Sequence, residues 1–248
     1  MARPIAVVTG AGSGIGAAIA LRLANNYDLI LTHRQDDQDL DDVLATVEWH
    51  GAATLAVTGD LTDPITLDAL GHEIEHAADR LEVLVSNAGA YPRIPWPELN
   101  LDAFRQQIEV NLLTHAACTQ LVTPALAARG HGRIIAISSV LTQLGRIDLA
   151  GYIAAKSGLE GLVRALAREL GPDGVTVNCI RAGSIEVPAE HAVVSDHDAM
   201  VTRQLDRQSI KRRGQPVDIA AAVEFLISRD AGFISGQCLT IDGGWCMA

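Results

Sequence analysis

The chain has 248 residues, 48% of them hydrophobic, and a formal net charge of −11 at pH 7. That apolar content is ample for a sizeable core, and the acidic balance excludes nucleic acid and anionic membrane as main partners, since both select a basic surface. Four cysteines without Cys-x-x-Cys spacing read as free thiols in a reducing compartment, and with no signal peptide and no membrane-length apolar run the expectation is a cytoplasmic protein.

Ile5-Ala6-Val7-Val8 reads as a buried strand. It runs into Thr9-Gly10-Ala11-Gly12-Ser13-Gly14-Ile15-Gly16 and then a helix pattern from about Gly14 to Asn25. Glycines there allow a tight turn and let a pyrophosphate reach the backbone, while the helix N-terminus supplies free N–H groups and a favourable dipole. Between a first strand and a first helix, such a turn predicts dinucleotide binding. Leu29-Ile30-Leu31 is the second strand, and its end reads Thr32-His33-Arg34-Gln35. No acid stands there to accept the adenine ribose hydroxyls, whereas Arg34 can pair with a 2′-phosphate. NADP(H) is therefore favoured over NAD(H), with Asp36 and Asp37 read as surface residues.

A polar helix follows around Asp39–His50, then a strand at Thr54–Val57 and a helix from about Pro64 to Ala78. Val83-Leu84-Val85 is the fourth strand, and helical patterns cover Asp102–Ala128 and Gly151–Leu170 on either side of the strand Arg133–Ile137. Val175–Asn178 and Cys238–Ile241 are the late strands. Residues 186–213 are the least regular; a plain surface insertion fits them, but their position after a late strand favours a lid over a substrate cleft. Their His191, Asp196, His197 and Asp198 match no standard metal-ligand spacing, so no metal site is expected. The β-α-β alternation predicts an α/β fold, a single doubly wound parallel sheet with helices on both faces and one domain over residues 1–248. The continuously apolar strands imply cover on both sides.

Tyr152 and Lys156 stand four apart on a predicted helix and so share one face. An ammonium beside a phenol favours the phenolate and lowers its pKa toward a range useful for proton transfer.

With these residues assembled, the chain resembles the short-chain dehydrogenase/reductase family nearly end to end. The resemblance rests on Thr9-Gly10-x-x-x-Gly14-x-Gly16, on Asn87-Ala88-Gly89, on Asn111 in its helix, on Ser139 thirteen residues before Tyr152, and on Ile241-Asp242-Gly243-Gly244. It implies that Tyr152 is general acid in reduction and general base in oxidation. Lys156 would lower its pKa and hold the nicotinamide ribose, Ser139 would polarise the substrate carbonyl, and Asn111 would hold a water linking Lys156 to solvent. Ser138 would be structural, since the family's serine directly precedes the Val140-type position. The cofactor contacts implied are Gly10, Gly12, Ser13, Gly14, Ile15, Gly16, Arg34, Asp60, Leu61, Asn87, Ala88, Gly89, Tyr152, Lys156, Gly183 and Ile185. Asp60 also reads as a helix N-cap. By the same resemblance the long helices would pack against other subunits in a homotetramer.

The chain departs from the family in three places. Ala182 replaces a usual proline, Val187 replaces a threonine that often touches the cofactor, and Ser13 stands where many NADP-preferring members carry a basic residue. The general pattern is similar to 3-oxoacyl-acyl-carrier-protein reductases, yet the positions that present two basic residues to the carrier are Gly130 and Asp173 here. Arg129, beside the first, could substitute. A reductase of a small ketone or secondary alcohol is the leading expectation, a carrier-protein ketoreductase the alternative, and a dinucleotide sensor without turnover or an assembly scaffold the readings of another class. Tyr91, Arg93, Trp96, Gln143 and Leu144 are candidates to line the substrate cleft.

Overall fold

Side chains alternate across every strand, so Ala6 and Val8 enter one core while Ile5 and Val7 enter another on the opposite face of the same sheet. In this computed structural model, residues 2–34, 38–187, 190 and 196–247 are described; Asp36, Asp37 and His191 lie outside them, as does the side chain of His197. The strands are β1 (Ile5–Thr9), β2 (Asp28–His33), β3 (Thr54–Thr58), β4 (Leu81–Ser86), β5 (Gly132–Ser139), β6 (Val175–Ala182) and β7 (Cys238–Ile241). They form a seven-stranded sheet in the order β3-β2-β1-β4-β5-β6-β7, and every pairing is parallel. The order reverses between β1 and β4, and the strand ends there open the crevice where α/β sheets bind ligands.

Helices α1 (Gly14–Leu23) and α2 (Gln38–Trp49) cover one face. Helices α3 (Pro64–His76), α5 (Thr114–Arg129) and α7 (Ala150–Leu170) cover the other. Sequence reasoning placed no element between residues 213 and 238, yet a helix spans Pro216–Ile227 and packs its Ile219, Val223 and Leu226 into the first core. Its composition is apolar nearly all round, which erases the stripe that reveals a helix. Its start was legible: Pro216 stands at the first helical turn and Asp218 accepts the Gln215 N–H at 2.7 Å. The shorter helices are α4 (Leu101–Ile108), α6 (Leu141–Leu144) and α8 (His197–Arg207), and Pro216–Ile227 is α9.

Three expectations change. The pattern over 102–128 is not one helix, because α4 passes through a π-helical segment, Glu109–Leu113, before α5. At its centre the Asn111 amide donates to the Gln107 carbonyl at 3.1 Å and the Ala90 carbonyl at 2.8 Å, competing with the helix's own ladder. The strands are also not all covered on both faces: Leu55 in β3 and Leu239 in β7 are exposed, because these strands are the two sheet edges. The helix start offered for Asp60 belongs to Asp63, whose carboxylate accepts the Ile65 N–H at 3.0 Å; Asp60 binds Thr62 instead.

Helix α7 is held on the sheet by a buried carboxylate. Glu160 Oε1 accepts from Ser138 Oγ at 2.9 Å, Thr142 Oγ1 at 2.9 Å and Arg181 Nε at 2.8 Å, and Oε2 accepts from Arg181 Nη2 at 2.6 Å. Burial would raise the Glu160 carboxyl pKa, but the bonds from Arg181, Thr142 and Ser138 outweigh it and hold the group below the ordinary value. Ser138 is thereby bound into the scaffold. Removing one partner of a buried pair strands the other, so Glu160→Ala is expected to destabilise the fold by about 3–5 kcal/mol at pH 7, read as a lower midpoint in urea unfolding. A loss under about 1 kcal/mol would place the pair in the weak class of solvated ion pairs.

Candidate active site

The β1–α1 turn is shaped by close contacts. Gly10 and Gly14 have φ of +65° and +55°, in the left-handed region that favours glycine. A Cβ on Gly16 would stand 2.0 Å from the Gly10 carbonyl oxygen, so the turn folds against its own helix. A Cβ on Gly12 would meet the His33 ring at 2.5 Å, which lays the turn directly over the end of β2. Ser13 begins α1 with no side-chain capping bond. Free N–H groups therefore face the crevice at a positive helix end, the chemistry a pyrophosphate requires. Ile15 follows within the helix's first turn, and Val187 approaches Gly14 from the far side.

Asn87 and Ala88 extend the site from β4. Both backbone N–H groups donate to Thr9 Oγ1, at 2.9 and 3.0 Å, and the Asn87 amide donates to the Thr9 and Gly10 carbonyls. Gly89 leaves open the space beside Asn111 Oδ1 and Lys156 Nζ, atoms that a Cβ there would approach to 2.9 and 3.5 Å. Arg34 is exposed at the end of β2. Asp60 is exposed and Leu61 buried just past β3. Gly183 follows β6 so close to Asp242 that a Cβ would reach its Cα at 2.5 Å, and Ile185 is buried where it bridges to Gly214. The implied cofactor residues thus lie along the ends of β1, β2, β3, β4 and β6 on one rim of the sheet.

The four residues named for chemistry meet at the same rim. Ser139 ends β5, its Oγ accepting the Leu141 N–H at 3.2 Å, and its hydroxyl is close enough to Tyr152 to lower the phenol's pKa. One turn along α7, Lys156 Nζ lies 6.0 Å from the Tyr152 ring centroid and donates to the Ile137 carbonyl at 2.8 Å. The Asn111 amide is committed to Ala90 and Gln107, with its Oδ1 accepting the Ala90 N–H at 3.1 Å.

The expected lowering of the Tyr152 pKa by Lys156 does not appear. Burial pushes the phenol up to about 12, the nearby Ser139 hydroxyl pulls it down, and Tyr91 adds to the rise. Lys156 is weakened as a charge because its own burial lowers it to about 7, and its ammonium is turned toward Ile137 rather than toward the phenol oxygen. Sequence reasoning also missed His115. Its Nε2 lies 3.3 Å from Lys156 Nζ and its Nδ1 lies 2.7 Å from Ser86 Oγ, all buried. Burial and then the Lys156 charge hold this imidazole well below its ordinary pKa, so it is neutral. A charged ammonium only donates, so Nε2 is then the acceptor and Nδ1 carries the proton toward Ser86. The clue in the sequence was its place one helical turn after Asn111.

Among the described residues one group could suggest a metal: Glu160, Cys179 and Cys238 bring ligand atoms within 4.8 Å of one another. Both Glu160 oxygens are already held by Arg181, whose charge opposes a second cation. Among the other candidates, Tyr91 packs edge-on to Tyr152 with centroids 6.3 Å apart, while Trp96, Gln143 and Leu144 are exposed.

Comparison with known proteins agrees with this arrangement. A family model described as enoyl-(acyl carrier protein) reductase matches residues 10–246. The chain is 35% identical to cis-4-hydroxycyclohexanecarboxylate dehydrogenase of Sinomonas cyclohexanicum over 98% of its own length and 97% of the relative's. It is 32% identical to 3-oxoacyl-[acyl-carrier-protein] reductase of Staphylococcus aureus over 98% of each. A solved 7α-hydroxysteroid dehydrogenase, complexed with NADH and 7-oxo glycochenodeoxycholic acid, superposes with a TM-score of 0.90 at 31% identity, covering 98% of this chain and 94% of that one. The chain belongs to the short-chain dehydrogenase/reductase family, and it is a nicotinamide-dependent oxidoreductase working between ketone and alcohol.

The Lys156 shift has a measurable sign. Its folded value of about 7 lies below the ordinary 10.5. Between these the unfolded chain binds the extra proton, so this group's contribution to stability rises with pH from about 7 to 10.5; below 7 its full penalty persists. Lys156→Met removes the term. Its stability relative to the parent should therefore be most favourable at pH 6 and worsen steadily to pH 10, measured by urea unfolding across pH. A pH-independent difference would mean that Lys156 ionises alike in both states.

Proposed function

We propose that this protein is an NADP(H)-dependent reductase of a small ketone, or dehydrogenase of the secondary alcohol, with Tyr152, Ser139, Lys156 and Asn111 as its catalytic set. The observation that carries the reading is the convergence at one strand rim of the glycine turn, Asn87–Gly89, Ser139 at the end of β5, and Lys156 with its Nζ 6.0 Å from the Tyr152 ring. The bound cofactor supplies or takes the hydride. The chain's own residues do the rest. Ser139 and Tyr152 present two hydroxyl donors to one substrate oxygen, stabilising the negative charge that develops there. Tyr152 delivers the proton, a pKa above neutrality keeping the phenol protonated as an acid should be. Lys156 is held beneath by Ile137 and His115 and offers positive charge to the phenolate that remains. Asn111 keeps Ala90 and the π-helical segment together beside Lys156.

The turn from Gly10 to Gly16 would hold the pyrophosphate, Asp60 and Leu61 the adenine, and Asn87, Ala88, Gly89, Gly183 and Ile185 the nicotinamide half. The free guanidinium chemistry at the end of β2 supports a 2′-phosphate partner in Arg34. The irregular segment 186–213 would act as the lid; its described part is tied down by Arg213 to Glu190 at 2.7 Å. A homotetramer is supported by exposed apolar residues near the β7 edge, Phe225 and Leu239 among them, which line a cavity of about 230 Å³. Four free thiols support a cytoplasmic location.

The relatives' names range over a hydroxycyclohexane acid, an acyl-carrier thioester and a steroid. Their common element is the ketone–alcohol pair, so kinship leaves the substrate open. The carrier-protein alternative draws on the staphylococcal relative. Against it, Arg129 is engaged by Glu82 at 2.8 Å and by the Asp79 carbonyl, and the flanking positions are Gly130 and Asp173. A non-catalytic nucleotide sensor has no need of the Ser139–Tyr152 pair.

Tyr152→Phe is expected to lower kcat about 10²–10⁴-fold while nucleotide still binds, followed by NADPH oxidation against a carbonyl panel and by fluorescence titration. Retained turnover would remove Tyr152 from its role. Arg34→Ala should raise KM for NADPH at least about tenfold and leave KM for NADH nearly unchanged; equal effects on both would overturn the coenzyme assignment.

A further inference from the structure

Arginines gather on the segments beside Tyr91 and Tyr152 in a chain that is otherwise strongly acidic. The loop after β4 lays Tyr91 edge-on against Tyr152, and Arg93 follows two residues later. Its neighbour Ile94 donates its N–H to the Asp148 carbonyl at 2.9 Å, which ties this loop to the segment carrying Arg146. Helix α8 adds Arg203 and Arg207, four apart and so on one face, while its Met200, Gln204 and the following Gln208 turn inward. The charges of Arg93, Arg207 and Arg203 all bear on Arg146, whose own pKa is lowered first by burial and then by them.

Among the described residues, few carboxylates answer this charge. The opposing carboxylate acting on Arg146 is Glu190, which Arg213 already pairs at 2.7 Å. Among the described residues, Arg93, Arg146, Arg203 and Arg207 form no ion pair with a carboxylate, whereas Arg22, Arg80, Arg129, Arg181 and Arg212 each do. Four like charges left together repel one another and weaken the fold. A bound anion relieves that repulsion, and the planar guanidinium fork suits a carboxylate in particular. The cofactor's phosphates do not meet this need, because the glycine turn and Arg34 stand at the β1 and β2 ends while Tyr91 and Tyr152 mark the substrate end.

We propose that Arg93 and Arg146, with Arg203 and Arg207 at the rim, bind a carboxylate carried by the substrate, so that this enzyme reduces a small oxo acid or oxidises the matching hydroxy acid. The inference rests on the reading of Tyr152 as the proton donor. In reduction the carbonyl π bond breaks, its carbon takes hydride from the reduced nicotinamide, its oxygen takes the Tyr152 proton, and the carboxylate is unchanged. A small acid fits better than a coenzyme A thioester because Arg93 is two residues from the ring against Tyr152, and a thioester's phosphates lie a whole pantetheine arm from the reacting carbonyl.

The test uses the full chain with NADPH and NADH. The substrates are 4-oxocyclohexanecarboxylate and 4-oxopentanoate, the methyl ester of each, and 3-oxobutanoyl-coenzyme A. The acids should exceed their esters in kcat/KM by about tenfold or more, mainly through KM. Arg93→Gln and Arg146→Gln should cut that acid-to-ester ratio by about tenfold each. Arg168→Gln, at the far end of α7 and about 24 Å along the helix from Tyr152, should leave the ratio unchanged. Binding of cyclohexanecarboxylate to nucleotide-saturated protein is measured alongside, because it reads the anion site without turnover. Esters reduced as well as acids, or an unchanged ratio in both variants, would overturn the carboxylate site while leaving the reductase reading intact. A thioester preference abolished by the same variants would overturn it in favour of coenzyme A phosphates. Arginine-dependent carboxylate binding with no turnover of any carbonyl would uphold the anion site and sink the reductase reading instead.

Discussion

The position of Tyr152 depends on a buried carboxylate further along its own helix. Glu160 stands two turns further along the same helix face, and its four hydrogen bonds lash α7 to β5 through Ser138, to α6 through Thr142 and to β6 through Arg181. With that face fixed, Lys156 comes to rest on the Ile137 carbonyl, and Tyr152, one turn before it, packs against Tyr91. The arrangement is costly in isolation, since it buries a carboxylate, a guanidinium and an ammonium. It is tolerated because each charged group finds partners whose geometry the sheet has already set. Rigid support of this kind is what a pair of hydroxyl donors needs if both are to reach one oxygen.

Around Lys156 the balance is different. Glu160 stays ionised because three side chains donate to it, whereas Lys156 has one carbonyl and one imidazole and loses ground to burial. His115 extends the polar line inward to Ser86 and away from solvent. Lys156 is thus poised near neutrality, and its charge is sensitive to any new negative group placed beside Tyr152. The departures at the nicotinamide end fit the same rim without strain. Ala182 keeps its place in β6, with its carbonyl accepting the Val140 N–H at 3.1 Å, and Val187 packs toward Gly14 where a hydroxyl often stands in the family.

Charge is distributed against the overall sign. A net charge of −11 describes the whole surface, but an incoming molecule meets the local field, and on the segments beside the Tyr91–Tyr152 contact that field is set by Arg146 and by the charges of Arg93, Arg203 and Arg207 that act on it. Low-dielectric walls concentrate such a field. Global acidity and a locally basic cleft are therefore compatible.

Much of the molecule was legible from residue order alone. The strands announced themselves by short apolar runs, the turn by its glycines between strand and helix, and the shared face of α7 by the four-residue interval from Tyr152 to Lys156, because each signal is local and tied to a backbone period. What escaped is long-range or masked by uniform composition: the helix Pro216–Ile227, apolar on nearly every side; the π-helical segment, set by an amide bond from Asn111 to Ala90 across the chain; and the meeting of Cys179 with Cys238 as register partners on β6 and β7. The sign of the Tyr152 shift, His115 under Lys156 and the arginine cluster were likewise settled only by packing. Desolvation and electrostatic fields depend on which groups folding brings together and on how much water it removes from between them, and neither quantity is written in the order of the residues.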